Sequence, residues 1–164
     1  MRPRILIAGV GNIFHGDDAF GSEVARCLAQ TPLPSEVRVA DFGIRGHDLA
    51  FALEDDYGTV ILVDVARRHR PPGTLSVIEP DLSRLHDEAT EAGIDTHAMH
   101  PIRILRLLQA QGRKVPPVWL VVCEPATFGP EEGHIGLSEP VGAAVPEAVA
   151  LVHSLVKRLV PHEE

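Results

Sequence analysis

Val60-Ile61-Leu62-Val63-Asp64 is the stretch on which the reading of this chain turns. Four apolar residues, three of them β-branched, end on an acid. Branched side chains suit a pleated surface better than a helix. A continuous apolar run, with no polar alternation, marks a strand buried on both faces. Such strands occur in parallel sheets covered by helices, where ligands bind outside the carboxyl ends of the strands. Asp64 stands at that end. A carboxylate there is costly to bury unless it is paired or ligates a cation; capping the next turn is the alternative role.

The neighbouring segments repeat the strand–helix alternation. Upstream, Ile5-Leu6-Ile7-Ala8 reads as a buried strand ending at Gly9. Residues 21–29 carry Val24, Ala25 and Leu28 at helical spacing before Pro32 stops them. Residues 37–41 alternate as a strand, and 46–54 form a short helix with Leu49, Ala50 and Leu53 on one face. Downstream, the Arg- and Pro-rich segment 66–73 is shorter than the dozen or so residues of a crossover helix. The strand at 74–78 is therefore expected to run antiparallel to its predecessor, at an edge. Residues 80–95 are polar and irregular, with room for a helical turn. Residues 101–111 are helical, with Pro101 in the first turn and Ile102, Leu105 and Leu108 inward. Residues 118–122 form a last central strand, and 140–159 a long amphipathic helix. The pattern predicts one domain over 1–164. It is an α/β fold: a three-layer α/β/α sandwich on a mostly parallel five-stranded sheet with one antiparallel strand.

Composition narrows the partners. A length of 164 residues fits one domain that buries its own core. Hydrophobic residues are 45% and aromatics only 4%, so the core is built of Val, Leu, Ile and Ala. A net charge of −8 argues against nucleic acid, which needs a basic face. No run approaches the ~20 apolar residues of a membrane span, and the apolar start is too short for a signal peptide. A cytoplasmic protein with no membrane partner is expected. Cys27 and Cys123 form no CxxC pair and read as small hydrophobes in a reducing compartment.

Polar residues gather at the expected strand ends. They are Gly9-Val10-Gly11-Asn12-Ile13-Phe14-His15-Gly16-Asp17-Asp18, then Asp41-Phe42-Gly43, then Asp64, with Asp95-Thr96-His97-Ala98-Met99-His100 in a later loop. A dinucleotide fingerprint fails at Phe14, where a third glycine is required, and the acids that follow would repel a pyrophosphate. No Gly-Lys-Ser/Thr follows, which excludes a P-loop. The glycines instead permit a tight turn and close backbone approach, and Asn12 can bond its own loop. Asp17 or Asp18 alone reads equally as a helix N-cap, and His97 alone as a loop histidine. Together, carboxylates and one imidazole at neighbouring strand ends form a candidate site for Ni, Zn, Mn or Fe with open positions. Neither GxSxG nor HExxH occurs.

Gly9-Val10-Gly11-Asn12 with Asp17-Asp18 and Gly21 resembles the opening signature of the hydrogenase maturation endopeptidases, which trim the large subunit of [NiFe] hydrogenases. Asp41-Phe42-Gly43-Ile44-Arg45-Gly46 resembles that family's second-strand motif, and Ile61-Leu62-Val63-Asp64 its third-strand end. Thr96-His97 with Ile104-Leu105 resembles its histidine loop and helix. Glu124-Pro125 and Gly136-Leu137-Ser138-Glu139-Pro140-Val141 resemble its closing segment. The resemblance implies a flavodoxin/phosphorylase-like fold and a catalytic, metal-contacting set that falls on Asp18, Asp64 and His97. Asn12, Asp17, Asp41 and Gly43 would position substrate or ligands. It further implies that nickel arrives on the substrate, with zinc, cadmium or manganese able to occupy the site in vitro. The partner would be the precursor of a large subunit, whose C-terminal extension is removed. Ala19, Phe42 and Ile44 depart from the family pattern, and His15 is unusual for it. Arg67, Arg68 and Arg70 read as a solvated basic turn or as contacts to acidic groups of the precursor. Two rival readings are a nickel-sensing metallochaperone that cleaves nothing and a nucleotide- or flavin-binding module of similar fold.

Overall fold

Side chains along each central strand point alternately to two buried faces, and the two faces recruit different helices. The computed structural model describes residues 4–80 and 101–160. Its elements are β1 (Ile5–Val10), a 3-10 turn (Gly16–Ala19), α1 (Phe20–Leu28), β2 (Val37–Gly43), α2 (Gly46–Ala52), β3 (Thr59–Val65), β4 (Leu75–Ile78), α3 (Pro101–Ala110), β5 (Val118–Cys123) and α4 (Glu139–Leu159). Ile5, Ile7, Ile61, Val63 and Val121 pack on one face with Phe20, Val24 and Leu28 of α1 and Val141, Ala148 and Val152 of α4. Leu6, Ala8, Val60, Leu62 and Leu120 pack on the other with Leu49 of α2 and Ile102, Leu105 and Leu108 of α3. This is the expected three-layer sandwich. Each fully buried side chain of this size stabilises the fold by about 1.5–3 kcal/mol.

The strand order is β2-β1-β3-β5-β4. β1 pairs in parallel with both β2 and β3, and β3 pairs in parallel with β5. β4 is the expected antiparallel edge strand. Its ladder partner is β5, Leu75 opposite Cys123 and Ile78 opposite Leu120, so β5 lies between it and its predecessor β3. The first helix also differs from expectation, because a 3-10 turn precedes it and carries both Asp17 and Asp18. α4 continues through Pro146, although a proline there removes one backbone donor. Seven buried apolar residues from Val141 to Val156 hold that helix on the sheet. The polar segment expected at 80–95, beyond its first residue, and the histidine loop lie outside the described residues.

Two glycines bring α1 against the sheet. A Cβ on Gly9 would lie 2.4 Å from the Gly21 carbonyl oxygen and 2.6 Å from Ala25 Cβ. A Cβ on Gly21 would lie 2.2 Å from the Val63 oxygen and 2.3 Å from that of Val10. The start of α1 therefore sits almost on the backbone of β1 and β3. From β1 the chain crosses to β2 on one side, and from β2 it returns to β3 on the other. The crevice between the carboxyl ends of β1 and β3 is thus the topological switch point, where sheets of this kind hold ligands.

Candidate active site

The loop leaving β1 folds around Asp18. Gly11 donates its N–H to the Gly43 carbonyl at 3.0 Å, which ties this loop to the end of β2. Its φ of +146° and the absence of a side chain let Asp18 approach, since a Cβ would lie 1.8 Å from the Asp18 oxygen. Asn12 Oδ1 accepts the Phe14 N–H at 2.9 Å, closing an Asx turn. The Asn12 N–H donates to Asp18 Oδ2 at 3.1 Å. Asp18 does not cap α1, because Ala19 occupies the N-cap position and no side chain bonds there.

Asp17 has a different task. It is 0% exposed. Its Oδ2 accepts N–H groups of Ala126 at 2.8 Å and Thr127 at 3.0 Å, and the Ser138 hydroxyl at 2.9 Å. Its Oδ1 accepts the Ser138 N–H at 2.7 Å. Burial raises its pKa, but these bonds outweigh it and hold the carboxyl below the usual value. Asp17 therefore clamps the loop after β5 and the start of α4 to the site. Its hydrogen bonds run to those segments, and it is Asp18 that contacts Asn12.

Asp64 is the penultimate residue of β3 and is 7% exposed. Its Oδ1 accepts the Val65 N–H at 2.8 Å. Burial pushes its carboxyl well above the ordinary value, and the neighbouring charge of Asp18 adds to the rise. The Asp18 charge adds to the cost of ionising Asp64, so the pair forms a site short of positive charge. A divalent cation shared between them would reverse that cost. Among the described residues no three His, Cys, Asp or Glu side chains gather as a metal-holding cluster. The expected third ligand, His97, lies outside those residues.

Asp41 and Gly43 form the β2 wall. Asp41 Oδ1 accepts the Ser22 hydroxyl at 2.7 Å and the Gly43 N–H at 2.9 Å. Arg45 donates from Nη2 to the Asp41 carbonyl at 2.6 Å and staples the loop. The structure thus bonds the Asn12 N–H to the Asp18 carboxylate and the Gly43 N–H to that of Asp41, sets Asp64 within reach of the Asp18 charge, and turns Asp17 toward the loop after β5.

Two contributors escaped the sequence reading. Glu124, 8% exposed at the end of β5, accepts the Arg68 N–H at 2.8 Å. Its signal was the same as that of Asp64, an acid closing an apolar strand. Ser138 has no local signal, since its partner is 121 residues away. Cys123 also ends β5, and burial pushes its thiol up to about 12 with help from Asp17 and Glu124. It is protonated at neutral pH and is no nucleophile there.

Large apolar side chains stand in water around this crevice. Ile13, Phe14, Ile44 and Ile135 are 49–75% exposed. Phe14 and Ile135 are brought near each other by paired backbone bonds, His134 N–H to the Phe14 oxygen and Gly16 N–H to the His134 oxygen. A groove of about 830 Å³ takes in Ile13 and Ile135, with Ser22, Asp41 and Leu137 among its other lining residues.

Known proteins resemble this chain in sequence and fold. Residues 22–155 match the family described as hydrogenase maturation protease, HycI. A curated relative from Methanocaldococcus jannaschii, named as a hydrogenase maturation protease, is 31% identical over 156 residues, covering 94% of this chain and 97% of the relative. The crystal structure of a hydrogenase 2 maturation peptidase from Thaumarchaeota archaeon SCGC_AB-539-E09 superposes with a TM-score of 0.71 at 34% identity, covering 94% of this chain and 98% of that one. The maturating endopeptidase HybD from E. coli superposes with a TM-score of 0.77 at 26% identity, covering 96% and 93%. By the match over residues 22–155 and the likeness along nearly its whole length to these proteins, this chain belongs to the hydrogenase maturation protease family and is a peptidase.

Proposed function

We propose that the protein removes the C-terminal extension from the precursor of a [NiFe] hydrogenase large subunit after nickel has been loaded, acting in the cytoplasm. The observation that carries this reading is the buried, raised carboxyl of Asp64 beside Asp18 at the β1–β3 switch point. Such a pair favours a cation over an anion, and it disfavours a flavin or nucleotide phosphate in the same place. Nickel reaches the site as part of the substrate. Asp18, Asp64 and His97 take it through positions left open in the precursor. The apolar rim of Ile13, Phe14, Ile44 and Ile135 suits a protein substrate rather than a free ion, which separates a protease from a simple nickel carrier. Holding the scissile peptide in one orientation supplies much of the acceleration. A cation held by Asp18, Asp64 and His97 would polarise that carbonyl or a water beside it. Asp17 keeps the loop after β5 in place.

Asp64→Asn and His97→Ala are expected to leave the fold intact and to abolish processing of the nickel-loaded precursor. Intact-mass measurement of the precursor after incubation reads the outcome. Cleavage at the unaltered rate by both variants would defeat the assignment.

A further inference from the structure

The turn between β3 and β4 is more built than its composition requires. Ala66 donates to the Cys123 carbonyl at 3.1 Å, and Arg68 N–H to the buried Glu124 carboxylate at 2.8 Å. At the other end Gly73 N–H reaches the Glu124 carbonyl at 2.8 Å, and Glu124 N–H the Thr74 carbonyl at 2.9 Å. One acidic residue at the end of β5 thus anchors both legs of the turn. Pro71 and Pro72 stiffen the returning leg. His69 sits at φ +57°, the only non-glycine residue with positive φ among the described residues. A conformation of that kind persists only where the surroundings enforce it, and such residues cluster at functional positions.

This frame presents two exposed guanidinium groups. Arg67 lies over the Phe128 ring at 4.6 Å, which sets it on the side of the loop after β5. Arg70 stands at the tip, exposed. Among the described residues neither makes an ion pair with an acid. Both stand a few residues beyond Asp64, in a chain with a net charge of −8. A local positive spot on an acidic protein selects by position, because acidic groups are repelled elsewhere on the surface.

We infer that the 66–73 turn is a docking site for a carboxylate-rich segment of the protein substrate, held by Arg67 and Arg70 beside the scissile crevice. The inference rests on the proposed function for the identity of that substrate, and on the turn's own geometry for the chemistry. The rigid frame removes much of the ordering cost that weakens exposed ion pairs.

The test uses the full chain and two labelled probes, a hexaglutamate peptide and a single-stranded DNA hexanucleotide, read by fluorescence anisotropy at low salt. The unaltered protein is expected to bind hexaglutamate, more weakly as salt rises. Arg67→Glu/Arg70→Glu should weaken binding about tenfold or more, and Arg67→Gln/Arg70→Gln by an intermediate factor with an unchanged melting temperature. On precursor, the Glu pair should raise KM about tenfold and leave kcat unchanged. Equal peptide binding by the unaltered and doubly substituted proteins would overturn the inference, as would binding of the DNA but not the peptide. Peptide binding decides this point whatever becomes of cleavage, whereas precursor left whole by the unaltered protein bears on the protease reading alone.

Discussion

Asp17→Asn separates the two adjacent acids, and the structure sets its size. The Asp17 carboxylate accepts four hydrogen bonds, three of them at Oδ2 and one at Oδ1. An amide keeps one acceptor oxygen and turns its NH2 toward a donor. If the oxygen stays with Ala126, Thr127 and the Ser138 hydroxyl, the Ser138 N–H faces another donor. Bonds to a charged acceptor contribute ~1.5–3 kcal/mol each, and a buried donor left unmet costs ~1–3 kcal/mol. A loss of about 3 kcal/mol is a conservative sum. For a chain of this length each kcal/mol moves Tm by ~2–4 °C, so Tm should fall by about 6–12 °C. The pH dependence has a definite sign. Asp17 is held below its unfolded value of 3.8, so its contribution is full above pH 3.8 and is lost as pH falls through the lower folded value. Thermal denaturation of both proteins followed by circular dichroism should show the gap at neutral pH and its narrowing below pH 3.8. A shift under about 2 °C at pH 7 would refute the clamp.

Other consequences follow from the same contacts. Asp64→Asn should raise Tm at pH 8, because a carboxyl with a raised folded pKa stabilises only below the unfolded value and loses that contribution as pH rises through the folded one. The gain should shrink toward pH 4, and a lower Tm for the variant at pH 8 would contradict the burial argument. Gly21→Ala places a Cβ about 2 Å from two carbonyl oxygens of β1 and β3, so it should cost at least ~1–3 kcal/mol, read by urea unfolding; an unchanged midpoint would mean α1 stands off the sheet. Iodoacetamide at pH 7.5 should label half-buried Cys27 and spare Cys123 until the protein is unfolded, as peptide masses will report.

The sequence and structure agree where the signal is local. Buried strands announced themselves as apolar runs because both faces of each are covered, and the short link before 74–78 foretold an antiparallel edge strand. The 3-10 turn at Gly16–Ala19 was illegible because no apolar period runs through it, so α1 was expected to begin at residue 21. The division of labour within Asp17-Asp18 was illegible for a different reason. The two acids are chemically the same, and the partners that bury one of them lie 109 and 121 residues away. The glycines were expected to allow close backbone approach after β1. The structure adds that Gly9 meets Gly21 across the helix–sheet interface, a pairing only the tertiary fold creates. Glu124 carries the same local signal as Asp64, an acid directly after an apolar run, and its role in holding the 66–73 turn shows only in the fold.

The central claim is that the switch-point carboxylates recognise nickel carried by the substrate. The direct measurement is intact-mass analysis of two precursor samples, one nickel-loaded and one nickel-free, each incubated with this protein under identical conditions. The account predicts that the nickel-loaded large-subunit precursor loses its C-terminal extension and the nickel-free one keeps it. Equal trimming of both, or of neither, would contradict it.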